Sequence, residues 1–94
     1  MPNIRKIHKN ITVIGRVQGV GFRFACRSMA NSLGVKGYVK NLYNGNVYIE
    51  AEGTEVQLKH FINWCYKGPS YANVSELKEI EDSVKGYKYF EIIH

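Results

Sequence analysis

Cysteine, proline and tryptophan are scarce here: 94 residues include two cysteines, two prolines and one tryptophan. Cys26 and Cys65 are too few for a disulfide scaffold and lack the short spacing of a metal-binding pair. With so little proline and 22% charged residues, no disordered or low-complexity segment is expected. No apolar run approaches the roughly 18 residues that span a bilayer. The stretch Met1-Pro2-Asn3-Ile4-Arg5-Lys6 carries charge with no apolar segment behind it, so no signal peptide is expected either. A cytoplasmic location follows as the default, and with it two reduced, partly buried thiols. Thirteen basic residues face eight acidic ones, for a net charge of +5, but they form no dense run. That balance suits solubility, or a small anionic ligand, better than a nucleic-acid tail. His8, His60 and His94 are dispersed and are expected as surface or packing residues rather than metal ligands.

What the chain does contain is regular alternation. A first strand over His8 to Arg16 has Ile7, Ile11 and Val13 on one parity and Thr12 and Ile14 on the other, which predicts a central strand covered on both faces. Phe22, Cys26, Met29, Ala30 and Leu33 form the apolar stripe of a first helix over Phe22 to Leu33, with Gly34 placed to end it. Val35 to Leu42 reads as a second strand. Asn44-Gly45 predicts a hairpin with a type I′ turn. In the third strand, Asn46 to Glu52, the residues Val47, Ile49 and Ala51 point to the core. Tyr48, Glu50 and Glu52 point to the opposite, wet face.

Thr54-Glu55-Val56-Gln57 is a capping box opening a second helix, which Gly68-Pro69 stops. Strands over Ala72 to Ile80 and Tyr87 to Ile93 complete a β-α-β-β-α-β-β order within one domain, 1–94. The expected fold is α+β: a two-layer, ferredoxin-like βαββαβ sandwich with an additional C-terminal strand, its antiparallel sheet carrying two helices on one face. In that topology Cys26 and Cys65 are neighbours on antiparallel helices. A disulfide is thus geometrically open, with free thiols favoured in a reducing compartment.

The chemistry concentrates where the first strand ends. Gly15-Arg16-Val17-Gln18-Gly19-Val20-Gly21-Phe22-Arg23 joins a strand, a glycine-spaced loop and a helix N-terminus. Such a junction presents successive backbone N–H groups and the positive end of a helix dipole to one point. Arg23 adds a planar fork of donors that is charged at any working pH. Together they make an anion site. Asn41, near the hairpin and on a strand of the same sheet, brings an amide toward the loop's mouth, although turn-flanking asparagines commonly bond their own backbone.

These residues resemble the acylphosphatases. Val13-Ile14-Gly15-Arg16-Val17-Gln18-Gly19-Val20-Gly21-Phe22-Arg23 is similar to that family's first signature. Gly37-Tyr38-Val39-Lys40-Asn41, with Gly45, Val47 and Gly53, is similar to its second. Asn44 and Tyr48 depart from residues often found there, as does the Ile92-Ile93-His94 ending. The resemblance implies hydrolysis of the carboxyl–phosphate anhydride of small acyl phosphates. Arg23 would grip the phosphoryl oxygens, the N–H groups of Val17, Gln18, Gly19, Val20, Gly21 and Phe22 would cradle them, and Asn41 would aim the attacking water. It implies no metal, no cofactor and no covalent intermediate. The partner would be a small acyl phosphate, hydrolysed by a monomer with no nucleic-acid or membrane partner, and inorganic phosphate or other anions would be able to occupy the site.

Three other readings rank lower. Gly19-Val20-Gly21 matches a dinucleotide fingerprint poorly, because Phe24 stands where a third glycine belongs. An RNA-binding ferredoxin-like module would use exposed aromatics, and Lys36-Gly37-Tyr38 faintly echoes its motif, but on the wrong strand. An accessory phosphate- or carbamoyl-phosphate-binding module of a larger assembly is disfavoured by a free-standing chain of this length. Cys26, near Arg23 and a helix N-terminus, is open to a lowered thiol pKa.

Overall fold

A computed structural model describes residues 5–94; Met1 to Ile4, part of the stretch in which no signal peptide is expected, lie outside the described residues. The elements are β1 (Lys6–Arg16), α1 (Phe22–Leu33), β2 (Lys36–Asn41), β3 (Val47–Thr54), α2 (Glu55–Lys67), β4 (Asn73–Asp82) and β5 (Phe90–Ile93). Local signals set the helix ends as expected. Gly34 ends α1 in a left-handed conformation, with Val35 N–H donating to the Ala30 carbonyl at 2.8 Å. At the start of α2, Gln57 N–H donates to Thr54 Oγ1 at 3.2 Å and Thr54 N–H donates to Gln57 Oε1 at 2.8 Å.

The five strands form one sheet in the order β4-β1-β3-β2-β5. Its first four strands pair antiparallel, but β5 lies parallel to β2, so the sheet is mixed rather than wholly antiparallel. The chain leaves β4 at one edge of the sheet and re-enters at the other, running in the same direction as β2. Both helices cover the face that carries Ile11, Val13, Val39, Val47, Ile49 and Ala51, all fully buried. Leu58, Phe61 and Cys65 from α2, and Phe22, Cys26 and Ala30 from α1, close this core.

Three local expectations are corrected. The hairpin turn is not type I′, since Gly45 (φ 94) has positive φ and Asn44 does not. Instead Gly45 N–H donates to the Leu42 carbonyl at 3.2 Å and Asn44 Oδ1 accepts from Asn46 N–H at 3.0 Å. The asparagine side chain thus supplies part of the turn, which removes the need for it to adopt a left-handed backbone. The second correction concerns β3: its supposedly wet face is closed at one end. His8 and Glu52 are buried there, because residues 85–87 fold over them on the way to β5. Third, the second face of β1 is fully covered only at His8, since Asn10, Thr12 and Ile14 remain half-buried there.

The tyrosines that suggested an RNA platform have another use. Tyr38, Tyr48 and Tyr87 hydroxyls all donate to the Glu50 carboxylate, at 2.9–3.0 Å. Burial pushes the Tyr48 and Tyr87 hydroxyls up to about 12, with the Glu50 hydrogen bond adding to it.

Candidate active site

The site is assembled by strand register. Asn41 pairs with Val47, and Val47 pairs with Val13, so the end of β2 lies level with the last residues of β1 before the loop. Lys40 pairs with Ile93, which brings the end of β5 to the same rim. Asn41 shares the parity of buried Val39 and therefore faces the helical layer, where α1 begins.

A bulge aims β1 into the loop. Its register with β4 shifts between Ile14 and Gly15. At Gly15, φ is +136° and an added Cβ would meet the Asn73 carbonyl oxygen at 2.3 Å, so the two backbones approach closer than any side chain permits. Beyond it, Gly19 and Gly21 adopt left-handed φ values of +72° and +77°, with open space where a side chain would begin. Gly21 is the N-cap of α1, and no side chain caps that helix. Among the described residues, no carbonyl or side chain accepts from the N–H groups of Gly19, Val20, Gly21, Phe22 or Arg23. No acidic residue lies in the first turn to compete for the positive helix end. These are the donors an oxyanion needs.

The hairpin holds the loop in place. Gln18 Nε2 donates to the Leu42 carbonyl at 2.7 Å and to the Asn46 carbonyl at 2.8 Å, tying the loop to the turn that follows Asn41. Val17 and Phe22 anchor its two ends in the core, and Phe22 packs against Trp64 at 5.4 Å between ring centroids. Arg23 is half-buried, and its Nη1 donates to the Ile93 carbonyl at 3.3 Å, so β5 steadies the guanidinium.

One cavity of about 270 Å³ collects these parts: loop residues 17–19 and 21, Phe22, Arg23, Phe24 and Asn41, with Ile92 and His94 from the β5 end. Every residue expected in the site borders this cavity except Val20, which packs against the core. Gln18's side-chain bonds, the Ile93 carbonyl, and the walls formed by Phe24, Ile92 and His94 were not foreseen. Phe24 had left a signal in the sequence: it is a large aromatic off the apolar stripe of α1.

A larger hollow, about 690 Å³, lies toward the other end of β1, between α2 and β4. Its charges are largely spent on each other, as in Lys9 to Glu79 at 3.2 Å and Arg5 to Glu81 at 3.8 Å. Among the described residues, no group of His, Cys, Asp and Glu is arranged to hold a metal ion, and no helix is long and apolar enough to cross a membrane. The thiols take no part in the site. Both are buried and unbonded, and burial, followed by contact with Cys65, pushes the Cys26 thiol well up, opposite to the lowering its position suggested.

Known proteins share this sequence pattern and fold. The acylphosphatase family model matches residues 9–92. An acylphosphatase of Thermotoga maritima is 50% identical over 82 residues, covering 87% of this chain and 91% of the relative. The crystal structure of acylphosphatase from Bacillus subtilis superposes with a TM-score of 0.91 at 36% identity, covering 94% of this chain and 99% of that one. T. kodakarensis HypF also matches, with a TM-score of 0.82 at 32% identity, over 94% of this chain but only 12% of its own.

Proposed function

The chain belongs to the acylphosphatase family and hydrolyses acyl phosphates to a carboxylate and inorganic phosphate, and we propose that the loop, Arg23 and Asn41 carry out that reaction as one unit. In this reading the N–H groups of residues 17–22 and the Arg23 guanidinium surround the phosphoryl oxygens. The Asn41 amide holds a water for attack on phosphorus, opposite the leaving carboxylate. The supporting observation is that Arg23, Asn41 and the loop border one small cavity, although they come from three different elements.

Phosphoryl transfer asks the protein mainly for positioning and charge stabilisation. Hydrogen bonds to charged groups are worth about 1.5–3 kcal/mol each. Several of them tightening in the transition state lower the barrier substantially. A carboxylate leaves readily without a strong general acid, so no such role is assigned to His94, the histidine that borders the cavity. The reading takes 1–94 as one cytoplasmic domain that works as a monomer on small acyl phosphates without metal, cofactor or nucleic acid. Inorganic phosphate is then a competitive occupant.

The test is hydrolysis of benzoyl phosphate, with chelator present, by the wild type, Arg23→Ala and Asn41→Ala. The wild type turns over, and each variant loses about a hundredfold to a thousandfold or more in kcat. Arg23→Ala also loses inhibition by inorganic phosphate, whereas Asn41→Ala retains it. Wild-type turnover by either variant would remove that residue from the mechanism.

A further inference from the structure

One side of the catalytic cavity has no part in holding phosphate. The N–H groups, Arg23 and Asn41 supply its polar side. The remaining lining consists of Phe24, Ile92 and His94. Phe24 lies in the first turn of α1, immediately after Arg23, and is 64% exposed. The Arg27 guanidinium sits 5.4 Å from its ring centroid. Arg27 is one helical turn on, at the i+3 position, where side chains on one helix face meet. Arg27 itself does not border the cavity. Ile92 is half-buried opposite and shares the parity of Phe90, which packs on Phe61 at 5.9 Å. The Ile92 end of that wall is therefore backed by the core.

Substrate chemistry decides what meets this wall. In an acyl phosphate a single bridging oxygen joins phosphorus to the acyl carbon. A phosphoryl group held by the loop consequently places the acyl substituent directly beside the loop, with no linker to carry it elsewhere. Of the groups that border the cavity, Phe24 and Ile92 are the apolar ones not committed to the phosphoryl side. A flat apolar ring gains from both of them, through area removed from water and through offset or edge-to-face contact with an aromatic. A methyl group gains little, and a second carboxylate would lose its hydration against carbon.

From this arrangement, and resting on the phosphate placement proposed above, we propose that Phe24 is the specificity-determining residue of the acyl subsite and selects planar, aromatic acyl phosphates over short aliphatic ones. The ring acts on the substituent, so its removal changes the ranking of substrates.

The experiment compares kcat/KM for benzoyl phosphate and acetyl phosphate in the wild type, Phe24→Ala and Phe24→Tyr. The benzoyl-to-acetyl ratio falls about threefold to tenfold in Phe24→Ala, chiefly through the KM for benzoyl phosphate. Phe24→Tyr keeps the ring and keeps the ratio. A ratio that falls less than threefold in Phe24→Ala overturns the assignment. So does a Phe24→Tyr variant that loses as much as the alanine. Failure of the underlying placement has a different signature: inorganic phosphate then fails to compete with either substrate in the wild type, whatever residue stands at position 24.

Discussion

The His8 imidazole and the Glu52 carboxylate meet at 2.8 Å, Nδ1 to Oε2, with both side chains closed off from solvent. The other ring nitrogen lies 2.7 Å from Asn10 Oδ1 and 3.2 Å from Glu50 Oε1. Asn10 presents its oxygen because its amide nitrogen donates to Asp82 at 3.2 Å. Oxygen atoms thus face both ring nitrogens. Glu52 then takes the backbone N–H groups of Lys85, Gly86 and Tyr87, and fixes the segment that delivers β5 to the rim of the candidate site.

His8→Leu removes one partner of a buried pair and leaves Glu52 without its imidazole contact. A loss of about 3–5 kcal/mol is expected. It should be read as a lower urea midpoint at unchanged m-value, and a loss below about 1 kcal/mol would contradict the burial of the pair.

Acid should act at the same place. Burial raises the Glu50 and Glu52 carboxyls, but the hydrogen bonds outweigh it and both end below the ordinary value of 4.5. Tyr87, Tyr48 and Tyr38 supply them for Glu50; the Lys85 N–H, His8 and the next two N–H groups supply them for Glu52. A carboxyl that holds its proton less tightly when folded stabilises the fold above its unfolded pKa. That contribution is lost as pH falls through the folded pKa. The thermal midpoint should therefore be flat from pH 7 to about pH 5 and fall steeply below 4.5. Glu52→Gln should start lower and fall less steeply.

Gln18→Ala separates activity from stability. The two carbonyls it frees keep other donors, Gly45 N–H for Leu42 and Leu42 N–H for Asn46. The expected stability cost is only about 1 kcal/mol. The loop, however, loses its tie to the hairpin, and kcat should fall about tenfold to a hundredfold. A stability loss with unchanged kcat would show that the loop holds its shape unaided.

The thiols should be silent in the native protein. Cys26 and Cys65 are inaccessible, and burial holds the Cys26 thiol up. Neither should react with a thiol reagent at pH 8 until denaturant is added, when both should. Rapid native labelling would mean that α1 and α2 separate readily.

Some of this architecture was written in short stretches of chain. The span of α1, its end at Gly34 and the Thr54–Gln57 box depend on bonds between residues a few positions apart, and each stands where the residues placed it. The anion loop was legible for the same reason, since strand, glycines, helix start and arginine are contiguous. Asn41 was different: nothing local separates it from an ordinary turn-flanking asparagine; the expected topology brought it toward the loop, and its water-aiming role entered through family resemblance.

Long-range register settled the remainder. Pairing Asn41 with Val47, Val47 with Val13 and Lys40 with Ile93 is what brings an amide, a loop and a carbonyl for Arg23 to one rim. The parallel docking of β5 and the closing of residues 85–87 over His8 and Glu52 belong to the same class. Alternation marks which face a residue takes, but it does not state which strand lies alongside or which loop folds over that face. Those choices depend on the total apolar area buried and on satisfying every buried charge at once, quantities that exist only when the whole chain is folded.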